Sequence, residues 1–197
     1  MWSAVSEVLF LGTGNAFSPP GRMHALALVD REILIDAPPT VLPQLRIAGV
    51  SPSDLNHLLF THWHADHTFG FPFLLLDRDK MGAINGKKGP LSVHCRPGGY
   101  NVLGELCRLG FPGSLDNMIE KGVVWNYAES GDLSETNWRF ERFPVSHTPE
   151  TDPQGYKLSH KSGFCMVHCG DSGPCQKIED MVQDSDVVIL ELSLIHI

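Results

Sequence analysis

The sequence predicts an α/β fold, and two observations predict it. Short apolar runs, several of them alternating apolar with polar residues, are bounded by Gly, Pro and Asp. Between them lie stretches whose apolar residues recur three or four positions apart, the spacing of a helix face. At 197 residues the chain suits one domain with enough length to bury a core. Hydrophobic residues make up 42% and charged residues 19%, a globular rather than a disordered composition.

Taken in order, residues 8–11 (VLFL) form a strand that ends in the GTGN turn. Residues 25–29 and 33–35 are the arms of a hairpin turning at Asp30 and Arg31. The segment PPTVLPQLRIAG has helical spacing at Val41, Leu45 and Ala48, and Gly49 caps its end. Residues 57–61 make a buried strand. FGFPFLLLDRDKMG is a helix with an apolar face, LSVHC a strand, and GYNVLGELCRLG a helix closed by Gly110. GVVWNY and WRFERFPV read as strands. In the second, Trp138, Phe140 and Arg142 share one face, and Arg139, Glu141 and Phe143 the other. GYKLSH and GFCMVHCGD form a strand pair, GPCQKIEDMVQDS a short helix, and DVVILEL a last strand. No low-complexity segment, linker or short-period repeat interrupts this order.

The net charge is −8. An acidic surface repels nucleic-acid phosphates, so contact with them needs a basic patch or bound cations. The densest basic stretch, Lys87 and Lys88, reads as a solvated loop. Residues 1–4 lack the basic start of a secretory signal, and VLFLGTG is broken by glycine. No apolar stretch approaches the roughly 20 residues of a membrane helix. A cytoplasmic location, with no membrane partner, is the expectation. Five cysteines, an odd number, read as reduced thiols. Cys165, Cys169 and Cys175 with His168 have the right residue types for zinc. They lack a C-x2-C pair, however, and their alternation with apolar neighbours is that of a strand. LGTGN has Gly12 and Gly14 but Phe17 in the place of a third glycine, which sets a dinucleotide-binding loop aside in favour of a tight turn.

The chemistry concentrates in FTHWHADHTFG, residues 60–70. Three histidines and an aspartate fall within six positions directly after an apolar run. His62 and His64 are two apart, so extended backbone points both imidazoles to one side. Asp66 and His67 follow at once, and a bend there aims them at a second ion. As ordinary core residues, these four polar side chains would each need a buried hydrogen-bond partner, a demand hard to meet without metal. Nitrogen with carboxylate ligation suits Zn²⁺ and tolerates Mn²⁺ or Fe²⁺.

THWHADH resembles the H-x-H-x-D-H signature of the metallo-β-lactamase superfamily. FLGTGNAFSPPGR resembles the opening of its ribonuclease Z-like branch, and LIDAPP its first motif, with Asp36 as the aspartate. PVSHT carries His147 where the third-motif histidine falls, and GDSG carries Asp171 where the bridging aspartate falls. The resemblance covers essentially the whole chain. It implies a four-layer αββα sandwich of two mixed sheets with helices outside. It implies two divalent metal ions: His62, His64 and His147 on the first, and Asp66, His67 and Asp171 on the second, with Asp171 bridging. Asp36 would hold the histidine-rich loop by a hydrogen bond without touching metal. His24, His57, His94 and His168 read as structural. His160 reads as a weak substrate-contact candidate.

The superfamily expects one more histidine on the second metal, well downstream of Asp171. The chain runs 26 residues further, and the only later histidine is His196, which is not assigned as that ligand. The final LSLIHI is the in-frame translation of CTGTCTCTTATACACATC, a common transposase-based sequencing-library adapter. The expectation is therefore a domain over residues 1–191, incomplete at its C-terminus with a last strand and helices missing, and adapter read-through over residues 192–197. Glu191 stands where the branch often has a functional acidic residue.

The function implied is metal-assisted hydrolysis by a hydroxide generated at a metal pair, with Asp66 relaying the proton. The branch favours a phosphodiester, small or nucleotide-like. Transfer-RNA processing uses a long arm between the third and fourth motifs, and only 24 positions separate His147 from Asp171. RNA stays open as a substrate without such an arm, and a homodimer as an assembly. A lactonase or thioesterase is the rival within the fold, since fold does not choose substrate. A non-catalytic metal-binding module is the rival outside it.

Overall fold

The computed structural model describes residues 6–84, 86 and 89–191. Residues 1–4, Lys87 and Lys88, and residues 192–197 with His196 lie outside the described residues. Contacts divide the chain into two compact units. The first comprises Met1–Phe60 and His64–Tyr127, the second Thr61–Trp63 and Ala128–Ile197.

The first unit carries a six-stranded mixed sheet in the order β1-β2-β3-β4-β5-β6. Its strands are β1 (Val8–Gly12), β2 (Leu26–Val29), β3 (Ile33–Ile35), β4 (His57–Leu59), β5 (Leu91–His94) and β6 (Val123–Asn126). β1 to β3 are antiparallel neighbours, and β3 to β6 run parallel. LALV and ILI are buried at every residue, the pattern of strands covered on both faces. The hairpin turns as expected: Asp30 (φ 47) and Arg31 (φ 61) both adopt the left-handed region, and Glu32 N–H donates to Val29 O at 3.1 Å.

Its helices are α1 (Val41–Ile47), α2 (Ala65–Thr68), α3 (Phe71–Ile84) and α4 (Gly99–Gly110). Gly49 follows α1 at φ 68, as a C-terminal cap. Within α3, Arg78 is 8% exposed and faces inward. It donates to Pro52 O (2.7 Å), Leu55 O (2.8 Å) and Gly89 O (3.0 Å), which spends its buried guanidinium on backbone acceptors. Burial pushes its pKa down.

The second unit carries a five-stranded mixed sheet in the order β11-β10-β9-β8-β7. The strands are β7 (Ser130–Asp132), β8 (Trp138–Pro144), β9 (Gln154–His160), β10 (Cys165–Asp171) and β11 (Val187–Glu191), with one helix, α5 (Gln176–Met181). α5 lays Ile178 and Met181 on Phe143, Val167 and Cys169. The expected alternation of β8 holds from Trp138 to Arg142, with Trp138, Phe140 and Arg142 buried and Arg139 and Glu141 exposed, and stops at Phe143, which is buried under α5. The buried Arg142 is held by Glu129 at 2.9 Å.

Two mixed sheets with helices bear out the α/β expectation. The strand foreseen over residues 57–61 is shorter than that. β4 ends at Leu59, and Thr61 is bonded into the second unit, where Gln154 N–H donates to Thr61 O at 2.9 Å. Among the described residues, no helix is long and apolar enough to cross a membrane.

Candidate metal centre

In the first unit the metal-type side chains follow the carboxyl ends of parallel β3 and β4. Asp36 comes directly after β3, at φ 68, with its N–H donating to Leu59 O at 2.8 Å. A non-glycine residue in that region is unusual, and Asp tolerates it better than most. The turn aims its carboxylate at the histidine motif: His67 Nδ1 lies 2.8 Å from Asp36 Oδ2, with both residues buried. Asp36 thus contacts the histidine motif through His67.

The bend expected after His64 is the single helical turn α2. His64 stands at its entrance in extended conformation (φ −64, ψ 153), and its carbonyl accepts the Thr68 hydroxyl at 2.8 Å. The turn places Asp66 beside His67, with Asp66 Oδ2 3.6 Å from His67 Nε2. Gly70 closes the turn against the Asp36 loop. Its N–H donates to Ala37 O at 2.8 Å, and a Cβ there would fall 2.0 Å from Pro38 O.

In the second unit three more such groups lie together. The rings of His62 and His147 meet edge to face, with centroids 5.0 Å apart. His147 Nε2 lies 4.0 Å from Asp171 Oδ2. His62 is 1% and Asp171 8% exposed. Thr61 Oγ1 sits 3.0 Å from His62 Nδ1 and orients that ring. Gly170, at φ +59, lets β10 turn next to Thr61, whose Cβ would be 3.0 Å from an added one.

These donor sets fit divalent metal. With Nδ1–H of His67 donating a hydrogen bond to Asp36, Nε2 and the Asp66 carboxylate are two electron-rich groups at 3.6 Å, an arrangement that a cation stabilises. His147 Nε2 and the Asp171 carboxylate form a second imidazole–carboxylate pair, at 4.0 Å. Buried imidazoles with carboxylates are zinc-type ligands.

The histidines read as structural have local partners. His24 contacts Ser18 (2.9 Å) and Thr40 (3.1 Å), His57 contacts His94 (3.0 Å), and His168 Nδ1 accepts Gly170 N–H (3.1 Å). His160 is a correction. β9 begins at Gln154, bonded to Thr61, and His160 is its last residue, about 20 Å further along an extended strand. There it contacts Ser162 at 2.8 Å and packs on Trp138. Sequence reasoning missed the contact of Thr61 with His62. The signal was slight: a threonine directly before the first histidine. The cysteines are free thiols, and Cys165 and Cys169 lie in β10 as the alternation implied.

A family model described as the beta-lactamase superfamily domain matches residues 31–196. A protein named ribonuclease Z from Methanothermobacter thermautotrophicus is 29% identical over 145 residues, which is 72% of this chain and 45% of that protein. One of the same name from Pyrobaculum arsenaticum is 29% identical over 210 residues, 94% of this chain and 72% of that protein. This chain thus spans less than half of the first relative and about three quarters of the second. Among solved structures, the metallo-β-lactamase fold protein YhfI from Bacillus subtilis matches with a TM-score of 0.71 at 14% identity, over 93% of this chain and 70% of that one. That likeness establishes the fold.

Proposed function

Because this chain belongs to the beta-lactamase superfamily, we propose that it is a metal-dependent hydrolase acting on phosphodiester bonds. His62, His64 and His147 would hold one divalent cation and Asp66, His67 and Asp171 a second, with Asp171 shared. Zn²⁺ suits these donors, and Mn²⁺ or Fe²⁺ is tolerated. Such a pair supplies Lewis acidity that brings water toward ionisation near neutral pH and offsets charge on phosphoryl oxygens. It also answers the objection of a net charge of −8, since bound cations invert the local field seen by a phosphate.

The chain's own groups do the rest. Asp36 accepts a hydrogen bond from His67 Nδ1–H and so fixes the ring with Nε2 as its ligating atom. Thr61 does the corresponding work at His62. Asp66 would take the proton that water loses as it attacks phosphorus and hand it on to the departing ester oxygen as the P–O bond breaks, so that the leaving group goes as an alcohol. The observation that carries this reading is the buried Asp36–His67 contact at 2.8 Å, a carboxylate–imidazole pair of the kind that orients metal-ligating histidines. Relatives named ribonuclease Z support a phosphodiester rather than another ester. The short span between His147 and Asp171 favours a small or nucleotide-like substrate over a folded RNA. Five free cysteines accord with a cytoplasmic setting.

The test is turnover by the full chain, stripped with chelator and reloaded with Zn²⁺, Mn²⁺ or Fe²⁺. The panel is bis(p-nitrophenyl) phosphate, a short RNA, a lactone and a thioester. Metal-dependent cleavage of the phosphodiester, lost at least 100-fold in His62→Ala, is expected. Faster turnover of lactone or thioester would reassign the substrate. Metal binding without any turnover would point to a non-catalytic module.

A further inference from the structure

The segment that carries His147 meets the segment that carries Asp171 through one antiparallel contact, Ser146 with Gly173. In a regular pair of this kind, two residues exchange two main-chain hydrogen bonds. Here one is direct: Gly173 N–H donates to Ser146 O at 2.7 Å. The other is not. Ser146 N–H donates to Ser172 Oγ at 3.1 Å, and the Ser172 hydroxyl donates on to Gly173 O at 2.7 Å, with Ser146 O 3.3 Å away. A side-chain oxygen has been inserted into a backbone bond. Ser172 is 3% exposed, so water does not readily take over this role.

The insertion has a geometric consequence. A direct N–H to carbonyl bond would pull Ser146 and Gly173 together on that side, and the hydroxyl holds them apart by its own width. Ser146 is covalently next to His147, and Ser172 next to Asp171. The spacing of the two ligand-type groups, 4.0 Å from His147 Nε2 to Asp171 Oδ2, is therefore set one bond away from this relay.

We propose that Ser172 is a positioning residue for the metal centre, its hydroxyl acting as a fixed spacer between the His147 and Asp171 segments. This rests on the assignment of those two residues as metal ligands. Ser172 touches neither metal nor substrate. Loss of its hydroxyl lets the pair close on itself or open, and either movement spoils a ligand set built on angstrom-scale spacing.

The test is competition titration of Zn²⁺ against a chromophoric chelator, with Co²⁺ absorption as a readout of ligand geometry, on wild type, Ser172→Ala and Ser172→Thr. The result expected is roughly 10–100-fold weaker binding in Ser172→Ala, an altered Co²⁺ spectrum, and recovery of both in Ser172→Thr. A purely structural role would lower the melting temperature of Ser172→Ala while the folded fraction kept wild-type affinity and spectrum, and that result would overturn the proposal. If Ser172→Ala does not fold, Ser172→Cys decides in the same way, because the thiol fills the space but is a weak hydrogen-bonding group. A wild-type chain that binds neither Zn²⁺ nor Co²⁺ would instead sink the hydrolase reading, and this inference with it.

Discussion

Asp36 shows how much one residue can be asked to do. It leaves β3 in a left-handed conformation, ties its N–H to Leu59 and spends its carboxylate on His67. Substitution by alanine removes the group that fixes the His67 tautomer, and a 10–100-fold loss of zinc affinity is expected, measured by chelator competition. Asp36 was singled out from sequence because it stands at a motif position, and its contact with His67 is what the structure adds. Thr61 and Ser172 were not legible, because a hydroxyl's partner is decided by which strand end arrives beside it. The His160 expectation failed for a related reason: nothing in GYKLSH says which end of the strand carries the site. The thiols give a pH prediction. Burial pushes Cys107 up to about 12 and Cys169 to about 11, while Cys175 is only half-buried. Only the thiolate alkylates. Iodoacetamide at pH 8 should therefore modify Cys175 well before Cys107 or Cys169, as read by peptide mass spectrometry. The sign follows from the raised values: between the ordinary thiol range and about 12, an unfolded chain ionises Cys107 while the folded chain does not. Stability from this group is thus intact below about pH 9 and is lost as pH rises toward 12. Rapid labelling of Cys107 in folded protein at pH 8 would contradict this burial.

The junction between α2 and α3 ties a helical turn to the function of the loop beside it. Gly70 is there because backbone comes where a side chain would be: Pro38 O at 2.0 Å and Ala37 O at 2.8 Å from an added Cβ. Neither is a flexible tip that moves aside. Gly70→Ala should destabilise by about 2–3 kcal/mol through overpacking, which for a chain of this size is a fall in melting temperature of roughly 4–12 °C. A scanning calorimetry trace that matches wild type would refute the close approach. At this scale the sequence was readable wherever apolar periodicity and glycine or aspartate punctuation agreed, as in the β2–β3 hairpin, α4 and β8. It was not readable in β7, whose three residues Ser130, Gly131 and Asp132 carry no strand signature and are strand only because Phe140 and its neighbours pair with them. Nor did the apolar look of α3 reveal Arg78, whose place inside depends on the carbonyls of Pro52, Leu55 and Gly89, 26, 23 and 11 residues away in the chain.

At the scale of the whole molecule, the metal-type residues fall in both units. His64, Asp66 and His67, with Asp36, belong to the first. His62, His147 and Asp171 belong to the second. The H-x-H-x-D-H stretch itself changes unit between His62 and His64, so the motif that names the superfamily is also the stretch of chain both units share. The central claim is that these residues act together on metal. Metal content per folded chain tests it most directly, by mass spectrometric elemental analysis of the full chain after zinc loading and desalting, beside His62→Ala and His67→Ala. The account predicts at least one bound zinc ion per wild-type chain, with a loss in each variant. Metal-free wild type, or zinc content that neither substitution changes, would contradict it.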